Sequence, residues 1–295
     1  SIRKKGKVFS AVVELSTKCD MFCANCYRTN QEYSAKNKNM SFEIFKSIID
    51  KLPMSMEFLI IQGIGESTFN PDILKMLQYA SRVNKFGTII LDSNLRHKSI
   101  EFYAELLQAG LTRLIVSVDS FSQEMCDKLR KGIDIGKLKK KLSELALKFP
   151  GKVHVRVTVS KINIFELEHT LQKLFELNVK RVEIGYIIDY KSVNVDLDKN
   201  DEKMLYKILK KFNKKIDLQI DKYSYCIFPF TAMVFNVKGE VMPCCHIFDD
   251  EIVSFGNISD GIEHSYYSKK FNAVRSTFYK NIPDFCIGCL HYKRM

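Results

Sequence analysis

The sequence lacks an uninterrupted apolar run of membrane-spanning length, a signal-peptide cleavage site, an internal repeat and a low-complexity segment. The first absence argues against a transmembrane helix. The second argues against secretion, because Ser1-Ile2-Arg3-Lys4-Lys5-Gly6-Lys7 runs directly into a strand. Zinc-finger spacing and the mixed aromatic and basic signature of RNA-binding modules are also missing. The chain is therefore expected to be soluble and cytoplasmic, without a membrane or nucleic-acid partner. Its 295 residues carry a formal net charge of +12, but the lysines are dispersed, with short clusters at Lys137 to Lys141 and Lys210 to Lys215. Such an excess reads as a solvated surface, the alternative being a surface for an acidic or phosphorylated partner.

What is present is cysteine, nine in all. In an intracellular chain thiols stay reduced, so their clustering points to metal rather than to disulfides. Cys19, Cys23 and Cys26 lie in one loop, and Cys226, Cys244, Cys286 and Cys289 lie near the other end. Cys245 follows Cys244 directly, and Cys126 stands alone on an apolar helix face with Met125 and Leu129.

Between residues 8 and 190, apolar runs of strand length alternate with stretches apolar at every third or fourth position. The runs predict strands at Val8 to Leu15, Phe58 to Ile61, Thr88 to Leu91, Arg113 to Val118, Val153 to Val159 and Arg181 to Ile188. Helices are predicted between them, with Ser41 as an N-cap and Gly110 as a C-cap. Six such units form an α/β fold, a partial (β/α)6 TIM barrel, whose ligands belong at the C-terminal strand ends. The expected organisation is 1–195 for the barrel, 196–215 for a connecting helix and 216–295 for a small domain. In that last segment strands at Thr231 to Asn236 and Glu240 to Met242 are joined by Val237-Lys238-Gly239.

The loop after the first strand reads Cys19-Asp20-Met21-Phe22-Cys23-Ala24-Asn25-Cys26. Three thiolates can hold three irons of a cubane and leave the fourth open. The alternatives are a zinc site, which wants a fourth ligand that the following loop lacks, or three unrelated thiols. Placed where it is, this C-x-x-x-C-x-x-C loop resembles the radical S-adenosylmethionine (radical SAM) superfamily. The residue before the third cysteine, often aromatic there, is Asn25 here, with Tyr27 after it.

Further segments fit the same resemblance in order. Gly63-Ile64-Gly65-Glu66 resembles the turn that receives the methionine amino group, with Glu66 as charged acceptor. Ser93 and Asn94 end the third strand where the family meets the ribose. Ser117 and Asp119 end the fourth, and Arg130 follows as the expected partner of the methionine carboxylate. Taken singly these are a glycine-rich turn, turn residues and a surface charge. The resemblance implies a 4Fe-4S cluster, S-adenosylmethionine and hydrogen abstraction by a 5'-deoxyadenosyl radical, with a flavodoxin- or ferredoxin-type electron donor.

Cys226, Cys244, Cys286 and Cys289 match full ligation of a second 4Fe-4S cluster, or of a structural zinc, with Gly239 making the hairpin turn. The segment resembles the Twitch form of the SPASM domain, in a layout similar to that of the 2-deoxy-scyllo-inosamine dehydrogenases. The tail Leu290 to Met295 carries no further cysteines, so one auxiliary cluster is expected. The adjacent Cys245 resembles the hydrogen donor of peptide epimerases; the alternatives are packing or substitute ligation.

The implied substrate is a small natural-product intermediate or a peptide, undergoing dehydrogenation or epimerisation. A peptide maturase forming a thioether or carbon-carbon crosslink is the next reading, against which counts the short segment before the first strand. A non-enzymatic iron-sulfur or zinc protein is the alternative of another class. The six histidines show no ligand spacing, and His246 beside Cys245 is assigned no role.

Overall fold

The computed structural model describes residues 8–30, 36–188, 195–220, 226–286 and 289. The Ser1 to Lys7 lead, the pair Ile287 and Gly288, and the tail from Leu290 lie outside them. Nine strands form one sheet: β1 (Ser10–Val13), β2 (Met56–Ile61), β3 (Phe86–Ser93), β4 (Arg113–Ser117), β5 (Val153–Val159), β6 (Arg181–Tyr186), β7 (Asp217–Ile220), β8 (Ala232–Phe235) and β9 (Val241–Met242). Their spatial order is β9-β8-β1-β2-β3-β4-β5-β6-β7, parallel throughout except for the β8–β9 hairpin. The sheet does not close: β7 and β9 remain its two edges among the described residues.

Buried parallel strands read as continuous apolar runs because helices cover them. Thus Ser10-Ala11-Val12-Val13 is buried at every position. The covering helices are α1 (Phe42–Lys51), α2 (Ile73–Val83), α3 (Ile100–Gln108), α4 (Gln123–Leu129), α5 (Ile135–Lys148), α6 (Leu167–Glu176) and α7 (Lys199–Phe212); α8 (Lys269–Thr277) lies nearer the C-terminus. Ser41 caps α1 as predicted, accepting from the Ile44 amide at 3.2 Å. Gly110, just after α3, has φ +119° and meets Ser81 so closely that an added Cβ would lie 2.4 Å from its side chain.

The six predicted strands and the hairpin are all present, with ends shifted by one or two residues. Two features were not visible in the sequence. The charged helix α7 is followed by β7, another parallel strand at the β6 edge. The strand β8 pairs in parallel with β1, so the hairpin between Cys226 and Cys244 extends the main sheet. Glu14, fully buried at the end of β1, accepts from the Ile64 amide at 2.9 Å and the Val237 amide at 3.2 Å, tying that hairpin to the loop after β2.

Candidate active site

The cysteine loop leaves the C-terminal end of β1 and is held from three sides. The Glu66 amide donates to the Lys18 carbonyl at 2.8 Å, Arg28 Nε donates to the Thr17 carbonyl at 2.9 Å, and Phe22–Cys23 pairs antiparallel with Arg130–Lys131. Gly65 is required by contact: a Cβ there would lie 2.4 Å from the Ser16 carbonyl oxygen.

Around this loop lies a cavity of about 340 Å³. Cys19, Cys23 and Cys26 line it, together with Gly63, Gly65 and Glu66 after β2, Ser93 and Asn94 at the end of β3, Ser117, Arg130 and Cys245. Asp119 is not in its wall. It stands behind, accepting from Arg130 Nη1 at 3.1 Å and from the Thr158 amide at 2.9 Å. Burial disfavours the Arg130 charge, but Asp119 and Cys23 beside it hold the guanidinium firmly protonated. Glu66 is buried and multiply bonded: Thr68 Oγ1 and Ser93 Oγ donate to it at 2.9 Å, and the Asn94 amide at 2.7 Å. Burial pushes its carboxyl up, against those donors.

Burial pushes the Cys19 thiol up to about 11 and also raises Cys23, so deprotonation needs a compensating cation. Asn94 Nδ2 lies 3.8 Å from Cys19 Sγ, a donor to a thiolate. Three thiols spread around a cavity wall suit a cubane, in which each thiolate binds a different iron.

The later cysteines come together from distant parts of the chain. Burial raises Cys226 to about 11 and Cys286 to about 12, and Cys244 well above the usual thiol value; in each case charge on neighbouring members of the set adds to it. Cys226 and Cys289 are thus near enough to both Cys244 and Cys286 for their charge to be felt there, and the four are candidate ligands of a second cluster. Cys126, by contrast, is buried in the core and bonded to the Ser120 carbonyl at 3.3 Å.

A second cavity, of about 380 Å³, adjoins the first and shares Gln62, Asp92, Arg156, Cys245 and His246 with it. Val12, Ile60, Ile90 and Ile115 form an apolar wall. On the polar side Arg156 bridges Asp92 and Glu183, each at 2.6 Å, with His154 3.9 Å from Glu183. Burial opposes the Glu183 charge, but His154 and Arg156 outweigh it and hold its carboxyl at about 2. The sequence reading missed this network. Charged residues inside these strands were visible in the sequence, but nothing there showed that they meet.

A model of the radical SAM superfamily matches residues 13–174, more than half of the chain. The chain belongs to the radical SAM superfamily. A model of the SPASM iron-sulfur cluster-binding domain matches residues 226–290. The cofactors are therefore S-adenosylmethionine and a 4Fe-4S cluster for the radical SAM domain, with further iron-sulfur binding in the SPASM domain. Over 302 residues the chain is 25% identical to the antilisterial bacteriocin subtilosin biosynthesis protein AlbA of Bacillus subtilis, covering 96% of this chain and 64% of AlbA. It is also 25% identical over 235 residues to a GTP 3',8-cyclase of Clostridium botulinum, covering 77% of this chain and 69% of the cyclase. Thus the chain spans about two thirds of the length of these relatives.

Solved structures share the fold. Native anSMEcpe with bound AdoMet superposes with a TM-score of 0.73 at 18% identity, covering 97% of this chain and 88% of that one. Streptococcus suis SuiB bound to precursor peptide SuiA gives 0.72 at 13%, covering 97% and 70%. BtrN in complex with AdoMet and 2-DOIA gives 0.60 at 16%, covering 92% and 87%. No helix among the described residues is long and apolar enough to cross a membrane.

Proposed function

We propose that this radical SAM protein abstracts a hydrogen atom from a carbon of a peptide substrate held in the second cavity, and that Cys245 returns a hydrogen from the other face, epimerising that carbon. The observation that carries this reading is the placement of Cys245, which lines both cavities. When bound, the cluster and S-adenosylmethionine supply a 5'-deoxyadenosyl radical by one-electron cleavage of the sulfonium. Glu66 and Arg130 would hold the amino and carboxylate groups of the methionine, while Ser93, Asn94 and Ser117 border the remaining space.

Cys245 is raised by burial to about 12, Arg156 opposing that rise, so it stays a thiol at neutral pH. A thiol S–H bond is weaker than an aliphatic C–H bond, which suits Cys245 to giving up a hydrogen atom. Returning it to service takes one electron and one proton. The adjacent Cys244 belongs to the auxiliary donor set, a short path for that electron. Oδ1 of Asp92 is buried without a hydrogen-bond partner, an acceptor suited to a peptide N–H. A peptide substrate is in keeping with the bacteriocin biosynthesis relative and with the SuiB complex with its precursor peptide.

Dehydrogenation is the second reading, with the auxiliary cluster accepting the substrate radical's electron as a proton leaves. Crosslinking is in keeping with a further relative, a PqqA peptide cyclase of Bradyrhizobium diazoefficiens. Product mass separates them: epimerisation keeps the mass in light water, whereas the other two lose two hydrogens.

Cys245 can be tested before any substrate is known. In heavy water its thiol carries deuterium, so uncoupled turnover with dithionite should label the 5'-deoxyadenosine methyl group in wild type more than in Cys245→Ala. Equal labelling sinks the role of Cys245; no 5'-deoxyadenosine in either sinks the radical reading.

A further inference from the structure

We propose that Arg113 binds a carboxylate of the substrate, so that the peptide reacting beside Cys245 carries an acidic group within two or three residues of the reacting carbon. This deepens the reading of the second cavity as the peptide site and rests on it.

The sheet register sets out the wall of that cavity in rows. Val12 pairs with Ile60, Ile60 with Ile90 and Ile90 with Arg113, so an aliphatic row across β1, β2 and β3 ends on β4 in a guanidinium. Side chains alternate along a strand, so the next row on this face holds Asp92 and Ile115, and the row beyond it Ser117, Arg156 and Glu183.

The charged side chains of the wall are Asp92, Arg113, Arg156 and Glu183. Three of them are already matched, because Arg156 bridges the two carboxylates at 2.6 Å. Arg113 is the fourth. Half-buried at the start of β4, it makes no hydrogen bond or ion pair among the described residues. A cation set beside aliphatic side chains in a partly desolvated wall is unfavourable unless an anion joins it. The ligand is thus the missing partner.

Its charge and position follow from the same wall. Arg156 between two carboxylates leaves that network with one negative charge, which repels a dianion such as a phosphate ester. A single carboxylate fits the planar fork of one guanidinium. Arg113 and Asp92 are separated by one strand spacing and two residues of rise, about 8 Å between Cα atoms. Asp92 also lines the first cavity, and its Oδ1 is the buried acceptor without a partner. An extended peptide advances about 3.3 Å per residue, so an N–H on Asp92 and a carboxylate on Arg113 belong to residues two or three apart. Gly185 on β6 gives the wall backbone alone, as suits the close approach of another chain.

The probes are two mixtures of N-acetylated tetrapeptides randomised at every position, one amidated at the C-terminus and one with a free carboxylate. Each is equilibrated anaerobically with the reconstituted full chain and S-adenosylmethionine, and peptides retained on ultrafiltration are identified by mass spectrometry. If the group is a side chain, wild type should retain Asp or Glu peptides about tenfold over their Asn or Gln counterparts in the amidated mixture. If it is the C-terminus, free acids should be retained about tenfold over amides. Arg113→Gln should abolish the preference without changing Tm, because it breaks no contact among the described residues. Arg113→Glu should transfer the preference to Lys and Arg peptides.

Retention without charge preference in wild type overturns the role of Arg113. So does an acidic preference that survives in Arg113→Gln, the mark of general attraction to a chain of net charge +12. In either case, loss of retention in Gly185→Leu, or in Thr158→Tyr should the first variant unfold, keeps the second cavity as the peptide site, since both fill it. Retention of no peptide by wild type removes the carboxylate contact and the peptide reading together.

Discussion

Glu66 has two separable jobs, and two substitutions tell them apart. In Glu66→Ala the Asn94 amide, which donates to the carboxylate at 2.7 Å, and the Ser93 and Thr68 hydroxyls lose their common acceptor. Hydroxyls can turn to other acceptors; a buried amide cannot. One orphaned amide plus the lost contacts of the side chain costs about 3 kcal/mol, or about 6–10 °C in Tm for a chain of this size.

Glu66→Gln should behave differently. The amide can turn its oxygen to the Asn94 N–H and its NH2 toward Ser93 and Thr68, so Tm falls by only about 2–3 °C. It nevertheless removes the negative charge expected to meet the methionine ammonium group. Losing a charge-assisted contact of about 1.5–3 kcal/mol weakens S-adenosylmethionine binding roughly 10- to 150-fold. Differential scanning calorimetry gives the first quantity, and equilibrium dialysis of the reconstituted protein under anaerobic conditions gives the second. A wild-type Tm in Glu66→Ala refutes the tie between the β2 and β3 loops; wild-type affinity in Glu66→Gln refutes the ligand role.

Glu183 controls the acid limb of stability. Its carboxyl is held at about 2, below the ordinary 4.5, so its contribution is fully present above that ordinary value and is lost as pH falls toward 2. The loss is about 3 kcal/mol, and Glu183→Gln should flatten acid unfolding followed by circular dichroism over that window. Gly65→Ala should cost about 3 kcal/mol or more, because its Cβ meets the Ser16 carbonyl at 2.4 Å, and reconstituted iron should fall with it. Replacing Cys19, Cys23 and Cys26 together by alanine should halve bound iron from about eight to about four atoms and abolish 5'-deoxyadenosine release, whereas Cys126→Ala should leave both unchanged. Iron analysis and chromatography of the nucleoside check both.

Much of the molecule was legible in the sequence, for local reasons. Buried parallel strands must be apolar along their length and helices apolar on one face, so β1 to β6 and their helices declared themselves by period. Three cysteines at tight spacing in one loop stand out as a motif without tertiary information, and Ser41 and Gly110 read as caps because capping is a nearest-turn effect. Arg156, Asp92 and Glu183 were not legible. They lie in three different strands, and only the sheet register brings Arg156 within 2.6 Å of both Asp92 and Glu183. The place of β7 at one edge of the sheet and of the β8–β9 hairpin at the other was likewise undetermined, because pairing partners far apart in the chain leave no periodic trace.

The alternating fold and the family were thus legible from residue type and spacing alone. That Cys245 lines the boundary between two cavities, that Asp119 stands behind Arg130 rather than in the cavity wall, and that Phe22 is exposed outside the loop were decided only by packing. Those are relations between residues brought together by folding, and sequence separation carries no record of them.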